Sequence, residues 1–202
     1  MKIVIGYPPI EQEKGTPLLS QNRQFQYFHS PTYIYPMVPA YAATIAQWRG
    51  HEAVWMDGIA EKKKYSEWLE ELIAQKPDIL MIETKAPVIK KHWGIVDDIK
   101  AKLPNTLVVM VGDHVTWNPK ETLDACKVDY VITGGDYDFL LSDLADSISK
   151  HTDLPGGIWG REGDGRITLD RLSSSYEEGD GGAKYWHSGP MKLTHDLDQL
   201  PF

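Results

Sequence analysis

The stretch VDYVITGGDYDFLLSDL, residues Val128–Leu144, decides how this chain folds. It predicts a short buried strand, a polar turn with two glycines, and an amphipathic helix with Asp136 as its N-cap. Gly134 and Gly135 carry no Cβ, so the backbone there can lie flat against a bulky ligand or adopt a positive φ. Open parallel sheets bind ligands beside turns of this kind, at the C-terminal edge of the strands. The stretch is equally compatible with a tight turn that binds nothing.

Four more apolar runs precede this unit, and most of them lead through a polar turn into a helical pattern. They are Lys2–Ile5, Glu52–Met56, Ile79–Ile82 and Leu107–Val111. Strands that alternate with helices predict an α/β, Rossmann-like (flavodoxin-like) doubly wound sheet of five parallel strands. Right-handed crossovers bring the turns after all five strands to one rim, where we expect the ligand. The rim turns are Gly6–Tyr35, Asp57–Lys64, Glu83–Pro87, Gly112–Thr116 and Thr133–Asp136.

The character of the chain changes near residue 153. Leu154-Pro155-Gly156-Gly157 is typical of a linker, and Gly157–Trp159 with Arg166–Leu169 predicts a small hairpin around an Asp-Gly turn. We therefore expect a ligand-binding Rossmann-like domain over residues 1–153. Residues 154–202 form a C-terminal hairpin and linker in this interpretation.

Composition excludes several classes of function. The net charge of −8 and the lack of a concentrated basic face argue against nucleic acid as a partner. No run of about 18 apolar residues and no signal-peptide pattern is present, so we expect no membrane contact. The single cysteine, Cys126, excludes an intrachain disulfide and a cysteine metal cluster, and it fits a cytoplasmic protein.

The familiar nucleotide and metal motifs are missing. The first turn, GYPPIEQEKG, is not GxGxxG, no GxxxxGK[ST] occurs, and a receiver domain is disfavoured because the third strand ends in Glu83. None of the seven histidines has HxH, HExxH or HxxxH spacing, so no metal ligand is predicted, although His114 lies in a rim turn. An acid/base cluster of Glu83, Lys85 and His114 has little support, because polar strand ends are expected in any such fold.

The order of segments resembles the N-terminal cobalamin-binding domain of B12-dependent radical SAM proteins. The segments that carry the resemblance follow a strand ending in Pro-Pro and cover essentially the whole chain. They are PTYIYPMVPAYAATIAQWRGHEAVWMDG, PDILMIETKAPVIKKHW, PNTLVVMVGDHVTWNPKETLD, VDYVITGGDYDFLLSDLADSI and the closing DLDQLPF. The last of these is similar to the linker that precedes the radical SAM barrel in that family.

The resemblance implies a corrin ring above the C-terminal edge of the sheet, with the dimethylbenzimidazole tail beside the fourth and fifth strands. Glycines would leave room for the tail, threonines would hydrogen-bond it, and the turn after the third strand would lie near the corrin. The residues that this implies as cofactor-binding are Thr84, Lys85, Gly112, Asp113, His114, Thr116, Thr133, Gly134, Gly135 and Asp136.

Two departures from the pattern shape the expected function. The DxHxxG motif, whose histidine ligates cobalt in many cobalamin modules, is absent, so we expect base-off cobalamin with no histidine in its place. The family's CxxxCxxC motif is also absent, so the iron–sulfur cluster and S-adenosylmethionine belong to a radical SAM domain in cis or in trans. The resemblance then implies a module without turnover of its own that serves methyl transfer.

A different class of function remains open at this point. The same predicted sheet could belong to a flavodoxin-like nucleotide-binding or signalling module that takes no corrinoid. The two readings differ in whether the groove beside the last two strands is open or filled by side chains.

Overall fold

Parallel strands form one side of the main sheet in the computed structural model, which describes residues 1–10, 15–18, 26–28, 30, 33, 35–163, 175–178, 182, 184–193 and 195–200. These strands are β1 (Lys2–Tyr7), β4 (Glu52–Asp57), β5 (Ile79–Glu83), β6 (Leu107–Val111) and β7 (Tyr130–Ile132). The long first loop contains a separate antiparallel pair, β2 (Thr16–Leu18) and β3 (Gln26–Phe28). The parallel order is β4-β1-β5-β6-β7, so strand order reverses between β1 and β5. The predicted Rossmann-like arrangement of α/β units is confirmed.

Helices cover both faces of the sheet, and β5 and β6 are therefore buried at every position. Helices α1 (Met37–Trp48) and α6 (Tyr137–Lys150) pack on one face. Helices α2 (Tyr65–Gln75), α3 (Ile89–Lys102) and α5 (Pro119–Ala125) pack on the other. The short α4 (Asp113–Trp117) follows β6 directly at the rim. Within the described residues, no helix combines the length and apolar character that crossing a bilayer requires.

The five predicted parallel strands are present, but the predicted strand count is not exact, because the sheet continues beyond β7 to eight strands. The added strands are β8 (Ile158–Arg161), β10 (Lys184–His187) and β9 (Ser175–Glu178), in that spatial order, and all three pairings are antiparallel. Strand β7 spans only three residues, and pairing with β8 satisfies backbone groups that an open edge would leave unpaired. A 3₁₀ turn at Leu197–Gln199 closes the described chain.

The predicted hairpin is described only in part. Its predicted first strand, Gly157–Trp159, overlaps β8, while Arg166–Leu169 falls outside the described residues. Strand β8 pairs with β10 as well as with β7, so it bridges the parallel core and the C-terminal segment. The division of the chain at residues 153 and 154 stays a prediction.

Candidate functional site

A buried carboxyl lies where the strand order reverses. Glu83 ends β5 and is only 5% exposed. The hydroxyl of Tyr7, at the end of β1, donates to Glu83 Oε2, and the hydroxyl of Tyr137, at the start of α6, donates to Oε1 at 3.2 Å. These hydrogen bonds tie two strands and a helix together at the crevice in which open α/β sheets bind ligands.

Burial controls the protonation of this cluster. It raises the pKa of the Glu83 carboxyl, although the Tyr7 hydroxyl, the charge of Lys85 and the Tyr137 hydroxyl oppose that shift. Burial and the neighbouring carboxyl also raise the pKa of both tyrosines above the ordinary value of 10. The tyrosines are therefore hydrogen-bond donors that position Glu83, and not phenolate nucleophiles.

The turn after β5 packs against the end of β6 and against α3. The Thr84 N–H donates to the Val111 carbonyl at 2.9 Å, and the Thr84 hydroxyl pairs with Nδ1 of His92 at 2.8 Å. Gly112 has φ +118°, and a Cβ there would lie 2.2 Å from the Thr84 carbonyl oxygen. Gly112 is thus required by close backbone packing, while Thr84 is fully buried and Lys85 is 9% exposed.

His92 is the buried base behind this turn. Its side chain is fully buried, and burial lowers its pKa from 6.5 to about 4. Nε2 of the ring has no hydrogen-bond partner among the described residues. His92 is therefore neutral at pH 7 and holds Thr84 through a single hydrogen bond.

A slot of about 540 Å³ opens at the C-terminal ends of β6 and β7. Its walls come from the turns after those strands, from β8, and from the end of β10 with the residues that follow it. The lining residues are Thr116, Trp117, Asn118, Pro119, Lys120, Thr133, Trp159, His187, Gly189 and Pro190. The volume suits a small organic ligand, and flat rings with a few hydroxyls on the walls suit an aromatic group that carries polar substituents.

The predicted threonines both line this slot. The Gly134 N–H donates to Thr116 Oγ1 at 3.0 Å, which joins the turns after β6 and β7. The Thr133 hydroxyl donates to the Gly157 carbonyl at 3.0 Å and keeps lone pairs for a further donor. Two of the residues that were predicted to contact the nucleotide tail therefore line the slot.

His114 and Asp113 lie on α4 beside the slot. Asp113 is exposed on the first turn of the helix. Nε2 of His114 lies 2.9 Å from Glu121 Oε2, and its ring makes edge contacts with Trp93 and Trp117. Glu83 and His114 thus have separate hydrogen-bond partners, so these contacts do not assemble the considered acid/base cluster.

The two glycines after β7 differ in their surroundings. Gly134 has φ +96°, and a Cβ there would lie 2.3 Å from Sδ of Met191. The room beside Gly134 is thus filled by a methionine from the C-terminal segment. Gly135 is exposed, and a Cβ there would meet nothing within 4 Å. Asp136 precedes α6 as expected, but its carboxylate contacts His195 instead of capping the helix.

Several slot residues were missed by sequence reasoning. Trp117 is 79% exposed at the slot, while Trp159 and His187 stack with ring centroids 4.7 Å apart. Trp159 lies on β8, which pairs with β7, and His187 lies on β10, which pairs with β8; neither pairing has a signal in the local sequence. Tyr7 and Tyr137 flank strand and helix boundaries, and only the fold shows that both reach Glu83.

A second groove, of about 620 Å³, lies on the α2–α3 side of the molecule. Lys64, Lys90 and Lys91 border it together with apolar residues such as Ile10 and Ile95. It contains none of the predicted cofactor-binding residues. Among the described residues, no group of three or more His, Cys, Asp or Glu side chains is arranged to hold a metal ion.

Comparison with known proteins relates the chain to methyltransferases. No family model matches it. It is 26% identical over 166 residues to an uncharacterized methyltransferase, PH0819, of Pyrococcus horikoshii, and the match covers 82% of this chain and 32% of that protein. The chain thus spans about a third of the length of this relative.

Solved structures show where the fold occurs. The chain is similar to the radical S-adenosylmethionine methyltransferase TsrM of Kitasatospora setae, solved with cobalamin and a [4Fe-4S] cluster bound. The TM-score is 0.56 at 17% identity, over 99% of this chain and 30% of TsrM. A second TsrM structure, with tryptophan and a SAM analogue bound, gives a TM-score of 0.57 at 18% identity, over 83% of this chain and 29% of TsrM. The chain therefore shares its fold with about a third of a cobalamin-containing methyltransferase.

Proposed function

We propose that this chain is a cobalamin-binding module that holds the cofactor base-off for a radical SAM domain. The slot at the ends of β6 and β7 carries the proposal, because it lies where the resemblance requires the nucleotide tail. Its walls combine Thr116 and Thr133 with the rings of Trp117 and Trp159. The corrin ring would then lie above the rim, over the ends of the central strands.

The residues of the slot fit a benzimidazole nucleotide. Flat aromatic walls suit stacking of the base, and the threonine oxygens and Lys120 suit the ribose and phosphate. The slot is open at the rim, so a tail has a path inward. Lys85 and Asp113 near the rim are proposed to contact corrin amide side chains.

No histidine replaces the tail base on cobalt in this proposal. The DxHxxG motif, which carries the cobalt-ligating histidine in other modules, is absent from this sequence. His114 contacts Glu121 and His187 stacks on Trp159, so the histidines beside the slot already have partners. In this proposal the turns and strands around the slot would hold the cofactor without a histidine ligand.

Group transfer in this proposal needs a partner domain. Cobalamin, when bound, supplies a cobalt-held methyl group, while the chain binds and orients the cofactor. The single cysteine, Cys126, is buried, and one thiol falls short of the set of cysteines that holds an iron–sulfur cluster. The radical SAM cluster and the turnover are accordingly assigned to the partner, in cis or in trans.

The proposal is tested by corrinoid retention. Purified protein is mixed with hydroxocobalamin, gel-filtered, and examined by visible absorption. We expect about one corrinoid per chain with a base-off spectrum. Lys120→Trp would fill the slot and abolish retention, whereas the matched Lys120→Ala would retain the corrinoid. Absence of corrinoid on the wild-type chain would contradict the proposal.

A parallel titration distinguishes the cobalamin module from the alternative, a flavodoxin-like nucleotide module. Flavin mononucleotide is added in a parallel titration and followed by fluorescence. Retention of the flavin together with rejection of the corrinoid would favour a flavodoxin-like nucleotide module. Corrinoid retention without flavin binding would support the cobalamin module.

A further inference from the structure

The second groove, on the α2–α3 side of the molecule, has a chemistry of its own. Its volume of about 620 Å³ falls within the range of small-molecule sites. The residues after β1, the first turn of α2 and the N-terminal half of α3 form its walls. It shares no lining residue with the slot at the ends of β6 and β7, so the two sites are separate.

Positive charge is concentrated at this groove. Lys64 is the N-cap residue of α2, and Lys90 and Lys91 lie in the first turn of α3. All three side chains are exposed, and none has a carboxylate partner among the described residues, whereas the adjacent Lys63 pairs with Glu71 at 2.6 Å. On a chain with a net charge of −8, three unneutralised ammonium groups around one groove favour an anionic ligand.

Two further features preserve this positive charge. The lining contains the carboxylate of Asp98, but it accepts a hydrogen bond from the Tyr65 hydroxyl at 2.8 Å and pairs with Lys102, which lowers its pKa. Its charge is therefore already balanced. Helix α3 has no acidic side chain in its first turn, so its dipole adds to the field of the lysines.

A glycine inside α3 keeps the groove open. Gly94 lines it, and a Cβ there would meet nothing within 4 Å. Glycine inside a helix is less stable than alanine, and no close packing in the described structure requires it at this position. Beside it, Pro9, Ile10 and Ile95 give the groove an apolar surface. A ligand with an organic part and an anionic part would use both the apolar surface and the lysines.

We propose that the second groove binds a phosphate-bearing organic ligand of the nucleoside diphosphate class. Lys64, Lys90 and Lys91 hold the phosphates, because an ammonium group acts as a point charge that suits phosphate oxygens. The organic part lies against Ile10 and Ile95, in the space beside Gly94. This binding is independent of the proposed cobalamin function, because the two sites have no residue in common.

Calorimetric titration of the whole chain without corrinoid tests the proposal, with adenosine diphosphate and inorganic pyrophosphate as probes. We expect one adenosine diphosphate per chain, bound at least threefold more tightly than pyrophosphate and more weakly at high salt. The double variant Lys90→Gln/Lys91→Gln should weaken this binding at least tenfold. Lys127→Gln, which changes an exposed lysine before β7, should stay within twofold of wild type. Absence of binding, or equal binding by the double variant, would overturn the proposal.

A matched pair at Gly94 separates binding from folding. Gly94→Ala and Gly94→Leu should both melt at a higher temperature than wild type, because each replaces a helical glycine. Only the leucine should fill the groove and weaken binding of adenosine diphosphate at least tenfold, while corrinoid retention stays unchanged. Lys120→Trp, which fills the other slot, should leave this binding intact. Loss of binding in Lys120→Trp but not in Gly94→Leu would assign the ligand to the slot and contradict the proposal.

Discussion

His92 shows how one buried side chain links the site to stability. It holds Thr84 at the end of β5, and it is neutral in the folded protein because burial lowers its pKa to about 4. The unfolded chain takes up a proton at this residue near its ordinary pKa of 6.5. Between these values only the unfolded state is protonated, so the stability from His92 is present above pH 6.5 and lost as pH falls to about 4.

We therefore predict that His92→Gln removes part of the acid sensitivity of the fold. Over the window from pH 6.5 to about 4, wild type should lose about 3 kcal/mol of unfolding free energy that the variant does not lose. Glutamine can keep a hydrogen bond to Thr84 without titrating. Urea unfolding at pH 7 and 4 measures this, with His151→Asn as the control. Parallel losses in wild type and His92→Gln would show that His92 is not the cause.

The two glycines after β7 should respond differently to substitution. Gly134→Ala combines a positive φ with a Cβ that overlaps Met191, so it should cost about 2 kcal/mol of unfolding free energy. Gly135→Ala should change that free energy by less than about 0.5 kcal/mol, because a Cβ there meets nothing. Gly135→Val should remain folded and still weaken corrinoid retention, because its side chain projects over the rim. Similar melting of both alanine variants would contradict this distinction.

The glycines also show which features of a single residue can be predicted from the sequence. The sequence predicts that these glycines lie in rim turns. It does not predict that a Cβ would meet a carbonyl oxygen at Gly112, a methionine at Gly134 and only open space at Gly135. Only the fold separates the three, because the neighbours come from distant parts of the chain. The alternative partner of Asp136, which is His195, is hidden from the sequence for the same reason.

At the scale of elements, a guanidinium joins β8 to the parallel core in addition to the pairing of β8 with β7. Arg161 donates from Nη2 to the Val128 carbonyl at 2.6 Å and from Nη1 to the Cys126 carbonyl at 3.3 Å, and it also donates to the Leu123 carbonyl. These carbonyls lie at the end of α5 and in the turn before β7. The contacts fix the strand that carries Trp159 into the slot.

We predict that Arg161→Met lowers the unfolding free energy by about 2–3 kcal/mol, because it leaves these carbonyls without their charged donor. The misplaced β8 should also weaken corrinoid binding through Trp159. Lys184→Met on β10 removes an exposed cation and should stay within about 0.5 kcal/mol of wild type. Denaturant unfolding and corrinoid titration measure both effects. A neutral Arg161→Met would mean that strand pairing alone holds β8.

The elements themselves differ in how far sequence predicts them. Parallel strands such as β5 and β6 were predictable because continuous apolar runs must be buried on both faces. The antiparallel extension was not, since β8 and β10 are short and partner choice depends on the open edge of β7. The slot lies between the parallel strands and the antiparallel extension. Its threonine wall was therefore predicted, and its Trp159–His187 wall was missed.

At the scale of the whole molecule, the proposed function makes the rim a binding site and leaves the reaction centre to a partner domain. The polar and aromatic side chains that line the slot lie at the rim, while the single cysteine is buried. It covers about 30% of TsrM and 32% of the relative from Pyrococcus horikoshii, so the activity of a longer protein is a proposal here. The proposed function requires that the slot beside β6 and β7 holds the nucleotide tail.

Comparison of cobalamin with cobinamide, the corrinoid without its nucleotide tail, tests this requirement most directly. Calorimetric titration of wild type and of Lys120→Trp with each corrinoid gives four dissociation constants. The account predicts that wild type binds cobalamin at least tenfold more tightly than cobinamide, and that Lys120→Trp loses this preference. Equal affinity of wild type for both corrinoids would show that the slot beside β6 and β7 does not hold the tail.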